Sequence, residues 1–362
     1  MNKYNEHIAA VFEELKDFQT ATVELAYNQL QKKNRYLVAD EVGMGKTKIA
    51  KGVIAKSLQK SLSQGKPYRV FYICSNQALA NQNLKDLNIF KDDKFVDNDY
   101  NRLIYLAINR DNNEKFSLSS LTPSTSFKIT TGPGHQQERM LIYTVLSTLS
   151  NGAINLQGLK WLLIGDVQSW TKWQIRVSNY HNDNKNNIVD YIPSVYVEKL
   201  KQQQIDKRLT PCATEIEKYG GKPTNLYDLV VDYSDVLSLE NNLEHVNHEF
   251  PNRYRLLIYL RKILINVSLE NLKADLFILD EFQRFKELVQ VGKNKKNEAA
   301  MIAEEIFNIE GAKTLLLSAT PFKMYTTQID ELNDENHYSE LTELVSFLYN
   351  NNDKVDIFKH LR

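Results

Sequence analysis

Nine residues constrain this chain more than any others: Ala39-Asp40-Glu41-Val42-Gly43-Met44-Gly45-Lys46-Thr47. Before them, residues 36–38 form a short apolar run of strand type. After them, Ile49, Val53, Ile54, Leu58 and Leu62 recur at helical spacing. The loop therefore sits where a strand ends and a helix begins, which calls for an α/β fold. Gly43 and Gly45 let the backbone approach an anion closely, and the amides around Met44 can turn inward as a nest. The helix N-terminus behind them favours negative charge. In that setting Lys46 reaches the β- and γ-phosphates of a nucleotide, and the Thr47 hydroxyl holds magnesium. The general pattern G-x-x-x-x-G-K-[ST] asks for glycine where this chain has Asp40.

Two later segments fit the same chemistry. Residues 276–279 are continuously apolar, as in a strand buried on both faces of a parallel sheet, and they deliver Asp280 and Glu281 at the C-terminal tip. Asp280 is placed to hold magnesium through its water shell, and Glu281 to orient and deprotonate an attacking water. Gln283 can donate and accept together, which suits a link from the γ-phosphate region to a neighbouring loop. That loop is expected at Ser318-Ala319-Thr320, after the apolar strand 314–317 and before Pro321. The amide cradle and the two carboxylates are expected at neighbouring strand tips.

Other signals are local. Residues 69–74 read as a strand, and Ser75-Asn76 open the helical pattern 78–87. Thr122-Pro123-Ser124 lies in a second hydroxyl-rich loop. Both loops suit contact with nucleic-acid backbone, and both equally suit ordinary helix caps and turns. Arg139, at the start of the helical pattern 140–149, reads as a solvated charge rather than a phosphate ligand. Arg253, Arg255, Arg261 and Lys262 form a basic face on the pattern 252–267, either for phosphates or for solvent. Residues 181–187 are rich in Asn and Lys and read as a loop. His245 and His248 have metal-like spacing, but without further clustered ligands they read as surface histidines.

Composition sets bounds. The 362 residues are 42% hydrophobic, enough for a real core, and 45 basic residues balance 45 acidic ones. Any contact with nucleic acid is then local rather than a broad electrostatic surface. Two cysteines suit a reducing cytoplasm, and no apolar run approaches a membrane span. A cytoplasmic protein is expected.

The form A-D-E-x-G-x-G-K-T resembles the superfamily 2 DNA translocases of the Swi/Snf and RapA type. The D-E-F-Q-R-F box at Asp280, the L-T-P-x-T-S-F loop at Leu121 and the S-A-T-P-F loop at Ser318 are similar to large bacterial helicase-related proteins, several of them in defence or restriction systems. The resemblance implies an α/β RecA-like P-loop lobe with a mostly parallel central sheet flanked by helices, plus a helical insertion. Its first part would be 1–169, a mostly helical insertion 170–268, its second part 269–330, and a linker with one helix 331–362. Phe18 and Gln19 would then be an adenine-reading pair, Phe18 by stacking and Gln19 at the base edge. Ser75, Asn76, Thr122 and Ser124 would hold nucleic-acid backbone, and Ser318 with Thr320 would couple nucleotide state to grip. The implied cofactors are ATP and Mg2+, and the implied partner is DNA, with RNA also compatible.

No Q-x-x-G-R-x-x-R element of a second RecA-like lobe follows in the sequence. Its arginine fingers can be worth about 10³–10⁵ in rate, so a second lobe or partner subunit in trans is expected. The alternative is a truncated or split nucleotide-gated subunit with little ATPase of its own.

Overall fold

The computed structural model describes residues 2–41, 43–92, 95–97, 102–108, 115–126, 132–149, 152–282, 284, 288, 298–319 and 337–349. In chain order the elements are α1 (Asn2–Glu13), α2 (Asp17–Lys33), β1 (Arg35–Ala39), α3 (Lys46–Ser63), β2 (Tyr68–Ile73), α4 (Gln77–Leu87), β3 (Val96–Asp97), β4 (Phe116–Leu121) and α5 (Pro123–Ser126). Then come α6 (Gln136–Thr148), α7 (Leu156–Leu162), α8 (Trp170–Asn184), α9 (Ile192–Gln202), α10 (Thr210–Glu217), α11 (Leu226–Leu237), α12 (Leu243–Glu249) and α13 (Arg253–Leu269). The series closes with β5 (Leu276–Asp280), α14 (Glu298–Phe307), β6 (Lys313–Ser318) and α15 (His337–Tyr349). Among the described residues, no helix is long and apolar enough to cross a membrane.

The chain divides into two compact units. One comprises residues 1–102, 112–128 and 273–362, and the other 103–111 and 129–272. The second unit thus opens well before the boundary expected at Trp170 and takes in α6 and α7.

The six strands among the described residues all lie in the first unit and pair in parallel, in the order β1-β6-β5-β2-β4-β3. This is the α/β lobe with helices around a parallel sheet that the sequence implied. Side chains alternate across each strand. Val38, Val70, Tyr72, Phe116, Leu118, Leu276, Ile278, Leu315 and Leu317 face one core, shared with Ile8, Val23, Ile49, Val53, Leu58 and Leu84 from α1 to α4. On the other face Phe71 stacks on Phe277, Phe277 meets Phe307 of α14 edge-on, and Phe307 meets Phe347 of α15 in the same way. Both faces are covered, so β5 and β6 read as unbroken apolar runs. Arg35, at the start of β1, donates to the carbonyls of Phe347 (2.6 Å) and Phe307 (3.2 Å) and ties both helices to the edge strand.

The second unit is helical around a core that includes Trp161, Trp173, Tyr196, Tyr233 and Leu260. Trp161 stacks face to face on Trp170, with centroids 3.6 Å apart. A Cβ at Gly158 of α7 would lie 1.7 Å from the carbonyl oxygen of Ser234 on α11, so only glycine permits that approach. The helix α8 runs through 181–184, which composition had given to a loop, because Trp173 and Val177 bury its inner face.

Three arginines, Arg139 read as solvated and Arg253 and Arg261 as facing phosphates or solvent, are buried here. Arg139 is fully buried and donates to Gly134 O (2.8 Å) and Asp166 Oδ1 (2.9 Å). Arg253 is fully buried and donates to the carbonyls of Phe250 (2.9 Å) and Val246 (3.3 Å). Arg261 pairs with buried Glu138 at 2.7 Å. Buried charge is tolerated where it is paired and hydrogen-bonded; Asp166 and Glu138 come from distant segments, whereas the acceptors of Arg253 lie just before it on the chain. Only Arg255 of the four basic residues on α13 is well exposed. The two histidines are exposed, His245 pairing with Glu240 (2.8 Å) and His248 with Glu249 (2.7 Å).

Candidate nucleotide site

The register of β1, β6 and β5 builds this site. Ala39 lies opposite Ser318, and Leu317 lies opposite Asp280, so the three strands end together. The acidic strand is not β1's neighbour, as expected, but the next one over, with β6 between them. At about 4.8 Å per strand, the two tips are roughly 10 Å apart, the width of a phosphate chain with its metal. Residues 276, 278 and 280 alternate onto one face, the face covered by α3. The N-terminus of α3 carries Lys46, so alternation alone turns Asp280 toward the phosphate loop.

Within the loop, Gly43 (φ 90°) and Gly45 (φ 81°) both take the left-handed conformation that glycine permits. Gly45 is the N-cap of α3 and has no side chain with which to cap it. The first-turn amides, Lys46 and Thr47 included, therefore form a donor set suited to an anion. The Lys46 ammonium donates to the carbonyls of Asp40 (3.0 Å) and Glu41 (3.3 Å), which holds it across the loop. Donors, dipole and lysine together fit a triphosphate. Thr47 is half-buried beside them.

Gln19 braces the loop from below. It is buried, its amide donates to Met44 O (3.0 Å), and its Oε1 accepts from Lys16 N (3.1 Å). Expected as a base reader, Gln19 has its amide hydrogen-bonded to the loop's backbone. Phe18 exposes its ring on the first turn of α2.

At the acidic tip, burial pushes the Asp280 carboxyl above the ordinary range. The Tyr72 hydroxyl bond pulls it down, Glu281 pushes it up, and the Lys46 charge pulls it down. Lys46 and Asp280 thus lie within electrostatic reach. Tyr72 donates to Asp280 Oδ2, a partner that motif reading missed. The signal was available: a tyrosine inside a buried strand needs a partner for its hydroxyl. Glu281 has φ 51°, left-handed for a non-glycine residue, and its N–H donates to Leu317 O (2.9 Å). That conformation costs about 1–2 kcal/mol and turns the chain sharply off the strand tip. Ser318 is fully buried at the end of β6. Gln283 and Thr320 lie outside the described residues.

The two proposed nucleic-acid loops differ. Asn76 is exposed and caps α4, its Oδ1 accepting from Leu79 N (2.9 Å), and Ser75 is half-buried before it. Thr122 is fully buried, and its backbone closes a turn with Ser126 (2.8 and 3.0 Å). Ser124 lies on the backbone of α5.

Residues 3–208 match the family described as ResIII, the Type III restriction enzyme res subunit. The match covers more than half of the chain, and the chain belongs to that family. No curated protein and no solved structure matches it. The matched residues include the phosphate loop but end before β5 and β6. The lobe is thus a helicase-like, ATP-binding P-loop lobe, and its acidic tip comes from the fold rather than from the match.

Proposed function

We propose that this lobe binds ATP with magnesium and couples its hydrolysis to a grip on nucleic-acid backbone, as the first RecA-like lobe of a superfamily 2 DNA helicase or translocase. One observation supports the reading: in the strand order β1-β6-β5 the tips that carry the phosphate loop and Asp280 end together, one strand apart, on either side of the Ser318 strand.

When bound, ATP and magnesium would supply the phosphoanhydride and the charge that offsets its oxygens. The Gly43 to Thr47 amides would cradle the phosphates, with Lys46 at the β/γ end. Thr47 and Asp280 would hold the metal, and Phe18 with Gln19 would border the base. Glu281 would position a water and take its proton. Gln283, Ser318 and Thr320 would pass the outcome to Ser75, Asn76, Thr122 and Ser124 on DNA. The arginines that complete the charge balance would come from a second lobe. A role in bacterial defence fits a family of restriction-enzyme subunits.

The test is an ATPase assay with and without DNA and a candidate second-lobe protein. Lys46→Ala should abolish binding, whereas Glu281→Gln should bind ATP yet turn over about 10²-fold slower or worse. Turnover indifferent to DNA would refute the motor. Tight binding without turnover under every condition would instead make the chain a nucleotide-gated module.

A further inference from the structure

The side chain nearest in function to Asp280 belongs to neither nucleotide motif. Tyr72 sits on β2, 1% exposed, and its hydroxyl donates to Asp280 Oδ2. The Tyr72 hydroxyl oxygen itself accepts from Asn83 Nδ2 (2.6 Å) on α4. Amide, phenol and carboxylate thus form one directed chain, in which each bond polarises the next. Register explains the meeting. Tyr72 pairs with Ile278, so its ring points to the α4 face and reaches along it to the residue two positions further on.

The helix at the other end of this chain begins at the Ser75-Asn76 loop. Two more bonds tie that region to the sheet. Cys74, on the same face as Tyr72, donates its thiol to Asn76 O (3.2 Å), and Gln77 Nε2 donates to Ser120 Oγ of β4 (3.1 Å). The Asp280 carboxylate is thereby connected to the loop proposed to hold DNA through β2 and α4 alone.

We propose that Tyr72 is a positioning residue for the metal-holding carboxylate, and that Asn83 ties the pair to α4 so that metal occupancy and backbone grip at Ser75-Asn76 move together. This deepens the nucleotide-site reading and rests on it. With Oδ2 engaged by Tyr72, the other carboxylate oxygen would be the one available to a metal's water shell. Any shift of Asp280 on metal binding would be felt at the Tyr72 hydroxyl, and through Asn83 at the helix whose cap is Asn76. Partners that orient a metal ligand are typically worth 10–100-fold in affinity.

The experiment uses the full chain, a fluorescent ATP analogue and a fluorescein-labelled DNA. Magnesium is titrated to find half-maximal nucleotide binding, and DNA anisotropy is read with and without magnesium-nucleotide. Tyr72→Phe should raise the magnesium requirement about tenfold or more. Asn83→Ala should leave that requirement within about twofold while removing most of the nucleotide-induced change in DNA affinity, a split that general loosening would not produce. An unchanged magnesium requirement in Tyr72→Phe overturns the positioning role. Intact nucleotide–DNA coupling in Asn83→Ala overturns the link to α4. If Tyr72→Phe fails to fold, Asn83→Ala still tests the link through DNA affinity. A wild-type chain that binds no magnesium-nucleotide overturns this proposal and the functional reading together, whereas wild-type binding with unaltered variants overturns the relay alone.

Discussion

Replacing Gly45 with alanine tests the phosphate loop where its geometry is least forgiving. The backbone there has φ 81°, and an added Cβ would lie 2.5 Å from Gln19 Nε2. The left-handed conformation costs an alanine about 1–2 kcal/mol. The clash falls on the end of a flexible side chain, which can move, but moving it breaks the 3.0 Å bond to Met44 O. That bond is worth about 1 kcal/mol. The sum is about 2–3 kcal/mol, or a fall of about 4–12 °C in melting temperature for a unit of this size. Four proteins should be melted: wild type, Gly45→Ala, Gln19→Ala and the double variant. Without Gln19 there is no clash, so the glycine substitution should then cost about 1–2 kcal/mol, leaving a coupling of about 1 kcal/mol between the sites. If Gly45→Ala costs the same in both backgrounds, Gln19 does not brace the loop, and the reasoning fails.

Two further outcomes follow from buried charge. Arg261→Met leaves Glu138 buried without its 2.7 Å partner and should destabilise the helical unit by about 3–5 kcal/mol; urea melts showing a loss below about 1 kcal/mol would contradict a desolvated pair. Burial raises the Asp275 carboxyl above its ordinary value near 3.8, the bond from Arg69 N–H (2.7 Å) and nearby basic groups only partly offsetting it. The folded chain therefore holds that proton more tightly than the unfolded one. Its contribution is fully present below the unfolded value and is lost as pH rises through the folded one. Asp275→Asn keeps an acceptor and removes the charge, so it should gain stability relative to wild type across that window and remain more stable at neutral pH. Denaturation at a series of pH values showing a parallel or falling difference would reject this.

Where a segment's surroundings are uniform, the sequence was enough to read it. The runs 276–279 and 314–317 are apolar throughout because helices cover both faces of the sheet, and the loop 39–47 declares itself by its glycines and lysine. Elsewhere the deciding partner is distant. The strand β4, with Ser117, Ser119 and Ser120, lacks an apolar pattern. Ser120 is nonetheless fully buried, and it accepts from Gln77 of α4. The charges of Arg139, Arg253 and Arg261 look solvated until the carbonyls and carboxylates that receive them are folded against them. Gln19 carries no local sign that Met44 is its acceptor. For Arg139, Arg261 and Gln19 a partner from another segment sets the role; for Arg253 it is the turn just before its own helix.

Parallel pairing also fixes an order of events. Among the described residues, β1 pairs with no strand but β6, and it is the first strand to be made while β6 is the last. Roughly 280 residues separate them, about 15–55 s of synthesis at 5–20 residues per second. Until residues 313–318 leave the ribosome, the glycine loop has no ladder to anchor it. Closing so long a loop is entropically costly and slows folding. The nascent chain therefore carries its glycine loop unseated until β6 has slid into the gap between β1 and β5.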